Sequence, residues 1–207
     1  MEKHTGLMIV FIIFVNAMVF SNENRLSLGF EYGNFFEKRT DGGVDIETYI
    51  GSPGFNFSGY HLWNDFGFFH SHSFLFPAKV LSNRDGYKYI FEYGFTIGPA
   101  FKIIFTGKLD MTLGLGFSLG NITGKQNNKS ISLFRMGIAG DIGLSFFVNK
   151  YICINIGSLI SYHFLNTTSI ANGTHDKDGD ENETTEWSKN YNMAGLRPYI
   201  KIRIPFK

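Results

Sequence analysis

Three groups of residues in this 207-residue chain have types and spacing that could do chemistry. His70-Ser71-His72-Ser73 sets two imidazoles among two hydroxyls, the ingredients of a base-activated nucleophile. A base must reach its nucleophile within about 3 Å and be oriented by a third group. If the segment is a strand, consecutive residues point to opposite faces, so His70 and Ser71 cannot share one. No third group is identifiable, and these residues are expected at a bulge or facing an interior. The run Asp176-Lys177-Asp178-Gly179-Asp180-Glu181-Asn182-Glu183 invites a calcium reading. An EF-hand loop needs glycine where Glu181 stands and a closing glutamate where Trp187 stands, so a solvated acidic loop is expected instead. The third group is a set of charges set singly among glycines, serines and bulky apolar residues: Glu31, Glu92, Asp110, Asp141, Lys88, Lys102, Arg135, Arg197, Lys201 and Arg203. No catalytic, cofactor-binding or metal-ligating residue is assigned, and what the charges do depends on the elements that carry them.

Met1 to Ser21 is read as a secretory signal peptide, with a basic start at Lys3 and His4 and an apolar run from Leu7 to Phe20. That run is shorter than the roughly 20 apolar residues a spanning helix requires. Val19 and Ser21 suit the positions three and one before a cleavage point, so 22–207 is expected as one mature domain. The lone Cys153 has no partner for an internal disulfide. Nineteen basic against 18 acidic residues is a near balance, which argues against nucleic acid as a partner.

Strict alternation marks the strands. Leu109, Met111, Leu113, Leu115, Phe117 and Leu119 fall on one face, and Asp110, Thr112, Gly114, Gly116, Ser118 and Gly120 on the other. From Arg25, the residues Leu26, Leu28, Phe30 and Tyr32 oppose Ser27, Gly29, Glu31 and Gly33. Tyr89, Phe91, Tyr93, Phe95, Ile97, Phe101, Ile103 and Phe105 oppose Lys88, Glu92, Gly94, Thr96, Gly98 and Lys102. Phe134 to Phe146, Ile152 to Phe164 and Leu196 to Phe206 repeat the pattern, with Arg135, Asp141, Cys153, Asn155, His163, Arg197, Lys201 and Arg203 on the small or polar side. The stretches Phe55 to Leu62 and Phe66 to Phe76 are the least regular.

In a soluble sandwich the large apolar face lies inside, and lysine and glutamate dominate the outside. Here the second face is glycine, serine and isolated charges, which suits the crowded interior of a narrow barrel, while the oily face suits lipid. Strands in lipid must close on themselves, because an unpaired edge leaves backbone groups without partners. Trp63-Asn64-Asp65, Thr106-Gly107-Lys108 and Val148-Asn149-Lys150 read as tight turns; Glu37 to Asp45, Pro77 to Gly86, Asn121 to Ser130 and Asn166 to Asn190 read as long polar loops. Three short and four long connections separate eight strands. The expected fold is therefore all-β, an eight-stranded antiparallel up-and-down transmembrane β-barrel. Phe105, Phe146, Tyr151 and Phe206 near the short turns, and Tyr32, Tyr89, Tyr162 and Phe164 near the long loops, are candidate interfacial girdles.

Inside a barrel of eight strands the side chains just fill the lumen. Glu31, Glu92, Asp110 and Asp141 against Lys88, Lys102, Arg135, Arg197, Lys201 and Arg203 then read as a packed ion-pair network, with rearrangement into a narrow pore as the alternative. Closure makes the first and last strands neighbours, which places Glu31 beside Lys201 or Arg203.

The terminal segment Tyr199-Ile-Lys-Ile-Arg-Ile-Pro-Phe206 resembles the last strand of bacterial outer-membrane barrels, which alternates apolar residues and ends on an aromatic; here Lys207 follows it and Pro205 stands within it. The mature length resembles the small barrels typified by the OmpA transmembrane domain, OmpX and OmpW. That resemblance implies residence in outer-membrane lipid, contact with the barrel-assembly machinery, and surface or host ligands met through the long loops. The expected role is non-enzymatic display of loops at the cell surface, with a narrow channel for small molecules as the first alternative and a lipid-modifying enzyme as the second.

Overall fold

The computed structural model describes residues 21–41, 44–82, 87–126, 129–171, 183–188 and 191–206. The signal-peptide reading of Met1 to Ser21 and the acidic run from Asp176 to Asn182 lie outside or almost wholly outside them. All regular structure among these residues is strand: β1 (Glu23–Asp41), β2 (Val44–Trp63), β3 (Phe66–Leu75), β4 (Lys79–Ser82), β5 (Tyr87–Thr106), β6 (Leu109–Gln126), β7 (Lys129–Phe147), β8 (Cys153–Ala171), β9 (Glu183–Ser188) and β10 (Tyr191–Phe206).

Ten strands occupy eight lanes. β3 and β4 pair in turn with the two halves of β2, and Phe76 and Ala78 between them still donate to the Pro53 and Gly51 carbonyls, so the pair is one interrupted lane. β9 and β10 likewise share the flank of β8. Each remaining strand pairs antiparallel with its neighbour, and β1 pairs with both β2 and β10, which closes the ring. Closure removes the edges that lipid could not satisfy.

The three tight turns stand where the alternation breaks, the first with Asn64 at φ 62°, a left-handed conformation asparagine tolerates. At the opposite rim the strands run further than expected. Glu37 and Asp45 belong to β1 and β2, and Asn121 and Ser130 to β6 and β7, so these connections are mostly paired ladder. Their polar residues reflect a ladder extending beyond the apolar band rather than a turn. The short stretch Phe55 to Leu62 is likewise the end of a 20-residue strand.

Polarity is inverted relative to a soluble protein. Leu28, Leu115 and Ile202 are 61–62% exposed on the outer wall, whereas Arg135, Arg197 and Arg203 are at most 1% exposed inside. Two stretches depart from strict alternation on β5. Pairing with β6 steps by one residue between Tyr89 and Phe91, so Ile90 is an inserted, outward residue. This bulge corrects two expectations: Tyr89 is buried inside and is no part of a girdle, and Lys88 is exposed outside rather than in the lumen. Phe105 is inserted in the same way near the short turn.

The lumen as candidate functional site

The interior is built in layers, beginning at the short-turn rim. Arg25, two residues before Ser27 and on the same parity, grips Asp110 on β6 with two parallel bonds of 3.0 and 2.7 Å. Its Nε donates to Glu23 at 2.5 Å, and Lys102 reaches the other oxygen of Glu23 at 2.6 Å. The four side chains form a continuous chain of alternating sign across β1, β5 and β6. Glu23 and Arg25 are absent from the sequence-derived charge set, although the parity of Arg25 carried the signal.

Above this rim the cations are held mainly by neutral oxygens. Arg203 donates to Ser27, Ser145 and Asn155 at 2.9, 2.8 and 3.1 Å, and its guanidinium lies 4.9 Å from the Tyr60 ring centroid. Tyr60 in turn donates its hydroxyl proton to Asp141. Lys201 donates to Ser58 at 3.1 Å and sits 3.6 Å from the Tyr199 ring centroid. Arg197 donates to Ser73 at 2.9 Å, and Asn56 donates to Glu31 at 3.1 Å. The register sets Glu31 opposite Tyr199, while Lys201 faces Gly29 and Arg203 faces Ser27. Glu31 is thus near Lys201 along the closing seam but forms no ion pair with it, or with Arg203, among the described residues.

Higher still, Arg135 pairs with Glu92 over the intervening strand β6 and donates to the Met193 sulfur at 2.7 Å. Gly120 makes room for it: a Cβ there would lie 2.4 Å from Arg135 Nε. The same guanidinium lies 4.9 Å from the Phe35 ring centroid, and Phe35 begins the final layer. Phe35, Ile50, Leu75, Tyr89, Ile122, Ile131, Leu133 and Met193 make a buried apolar cluster at the long-connection end of the lumen, and Tyr89 donates to Glu37 at 3.2 Å. This cap is not visible in the sequence pattern, because the polar residues around Glu37 and Asn121 look like loop.

Of the ten charges expected in the lumen, Lys88 lies on the outer wall, eight of the others are buried inside and Lys102 stands at the rim. The structure joins Glu92 to Arg135, Asp110 to Arg25, Lys102 to Glu23 and Asp141 to Tyr60; Arg197, Lys201 and Arg203 bond to hydroxyls and amides.

The His-Ser segment divides between the walls. Ser71 and Ser73 face the lumen, where Asn56 donates to both, at 2.9 and 3.1 Å. His70 and His72 share the outer parity with Phe66 and Phe74, and His72 Nδ1 is 2.8 Å from the Tyr93 hydroxyl. The pairings of β3 carry no register shift, so of the two expectations, a bulge or an inward position, Ser71 and Ser73 meet the second and there is no bulge. A Ser–His contact occurs elsewhere, at 3.1 Å between Ser118 and His163, both buried beneath the apolar cap.

No family model matches the chain, and no curated protein matches it. Solved structures do. Neisserial surface protein A is 14% identical over 88% of this chain and 97% of its own, with a TM-score of 0.53. OprG, an outer membrane protein of Pseudomonas aeruginosa, is 12% identical over 90% and 96%, with a TM-score of 0.62. A major outer membrane protein of Thermus thermophilus is 10% identical over 88% and 99%, with a TM-score of 0.53. The fold is that of a small outer-membrane β-barrel. In such a barrel the outer wall is the lipid-facing surface, and the aromatics expected at its margins, Tyr89 apart, are exposed on it. Phe105, Phe146, Tyr151 and Phe206 are exposed near the short turns, and Tyr32, Tyr162 and Phe164 toward the other rim.

Proposed function

We propose that this protein is a non-enzymatic resident of the bacterial outer membrane that displays its long connections at the cell surface around a closed lumen. One observation carries the reading: the interior is occupied along its whole length. Ion pairs fill the short-turn rim, hydrogen-bonded cations the middle, and an apolar cluster the far end. Water and small solutes need a continuous polar path, and a layer of Phe35, Ile50, Leu75, Ile122 and Leu133 interrupts one. The likeness to solved outer-membrane barrels supports the location. The lumenal orientation of Ser71 and Ser73, away from the outward His70 and His72, argues against a catalytic role for that segment.

Its partners are then outer-membrane lipid along the wall, the assembly machinery that reads the terminal strand, and surface or host molecules met by the long connections. Reconstitution into planar bilayers tests the closed lumen. The folded protein is expected to give no reproducible single-channel steps, and discrete steps of constant size would overturn the reading in favour of a narrow channel.

A further inference from the structure

The bulge at Ile90 does more than disturb the alternation of β5. Without the inserted residue, Lys88 would share the inward parity of Glu92 and Thr96; with it, Lys88 stands on the outer wall. Its cross-strand partner there is Lys125 of β6, also exposed. Like charges placed directly opposite on one face destabilise a ladder, and side chains so paired start about 5 Å apart. Neither lysine makes an ion pair among the described residues, whereas Lys38 on β1 bridges to Asp45 and Glu47 at 3.5 and 3.6 Å. A third lysine is exposed on β4, which continues the lane beside β5: Lys79, with Val80 next to it packed inward on the apolar cap.

Directly below these cations the wall is oily. Ile90 and Phe76 are 50% and 49% exposed, and the Phe76 ring packs on Phe91 at 5.7 Å. A cationic rim over an exposed apolar strip is the complement of one kind of molecule, an anionic head on hydrocarbon tails. Bulges are a recognised means of re-aiming a side chain toward a site.

We propose that Lys88 and Lys125, with Lys79, form a docking site on the outer wall for a phosphate-bearing acylated lipid of the surrounding leaflet. The phosphate is held between the paired ammonium groups and the acyl chains lie along Phe76 and Ile90. The site rests on the membrane residence proposed above but not on the closed lumen. Bilayer conductance reads the lumen and lipid retention reads the wall, so the two can fail separately.

The test is native mass spectrometry of the full barrel in detergent micelles, with lipid A as the probe. Folding of every variant is checked by heat-modifiable migration. Wild type is expected to retain the lipid and to lose it as salt rises. Lys88→Gln/Lys125→Gln is expected to weaken retention by roughly twenty- to thirtyfold, the product of about fivefold per lysine at a membrane surface. Lys88→Arg/Lys125→Arg should preserve it, dephosphorylated lipid should bind no better than the glutamine variant, and excess inorganic phosphate should displace little. Undiminished retention by the glutamine variant, or retention indifferent to salt and to the lipid phosphate, would overturn the proposal. Complete displacement by inorganic phosphate would replace the lipid with a free anion and overturn it as well. If the double variant does not fold, the salt dependence of the wild type and Lys125→Gln alone decide.

Discussion

The two ends of the lumen are filled differently: both hold buried apolar side chains, but only the short-turn side adds an ion-paired chain, next to a cluster of Tyr60, Leu62, Phe69, Ala100, Ala139 and Leu159. Toward the short turns, Glu23, Arg25, Lys102 and Asp110 form an ion-paired chain, and Arg203 spreads its donors over Ser27, Ser145 and Asn155. Toward the long connections, Phe35, Ile50, Leu75, Ile122 and Leu133 pack as an ordinary hydrophobic core. The polar end gains specificity, because each cation fits one set of acceptors, yet a buried ion pair contributes little net stability over apolar residues of the same size. The apolar end gains stability from area removed from water and tolerates small changes of volume. Phe35 joins the two regimes, with Arg135 and Arg197 at 4.9 and 5.8 Å from its ring centroid on one side and the apolar cap on the other.

This contrast can be broken most strongly at Arg135. Arg135→Ala leaves the Glu92 carboxylate buried without its partner, which is expected to cost about 3–5 kcal/mol in urea unfolding followed by gel mobility. Replacing both partners by apolar residues, Glu92→Leu with Arg135→Met, should recover most of that loss. A double variant as unstable as Arg135→Ala would show that the pair stabilises in its own right. A smaller effect sharpens the other side of the comparison. Ile50→Val in the apolar cap should cost about 1 kcal/mol and leave the fold unchanged. A loss several times larger would mean that the cap is as geometrically exacting as the ionic layers.

Much of this architecture was legible in the residues. Runs such as Leu109 to Gly120 have only one reading once the polar face is seen to be glycine and serine, because lysine and glutamate would crowd a solvated face. The inward set Arg135, Asp141, Arg197, Lys201 and Arg203 followed from the same parity. What escaped the sequence has physical causes. A single inserted residue reverses the facing of all that precede it in a strand, and nothing in Tyr87 to Phe91 marks Ile90 as the insertion; Lys88 and Tyr89 therefore exchanged walls. The bond between Arg25 on β1 and Asp110 on β6 spans strands that are not neighbours, so it depends on barrel curvature and stagger rather than on pattern. The polar ladder above the membrane band looked like loop because its outer face is no longer required to be oily.

The central claim is that the lumen is solid, and the chain carries its own reporter in Cys153, which is fully buried on the inner parity of β8. Its reaction with a small water-soluble thiol reagent can be followed in the unmodified folded barrel and again after unfolding in urea. A closed interior predicts negligible labelling of the folded protein and complete labelling of the unfolded chain. Rapid labelling of the folded barrel, at a rate near that of the unfolded chain, would show a wet lumen and contradict the account.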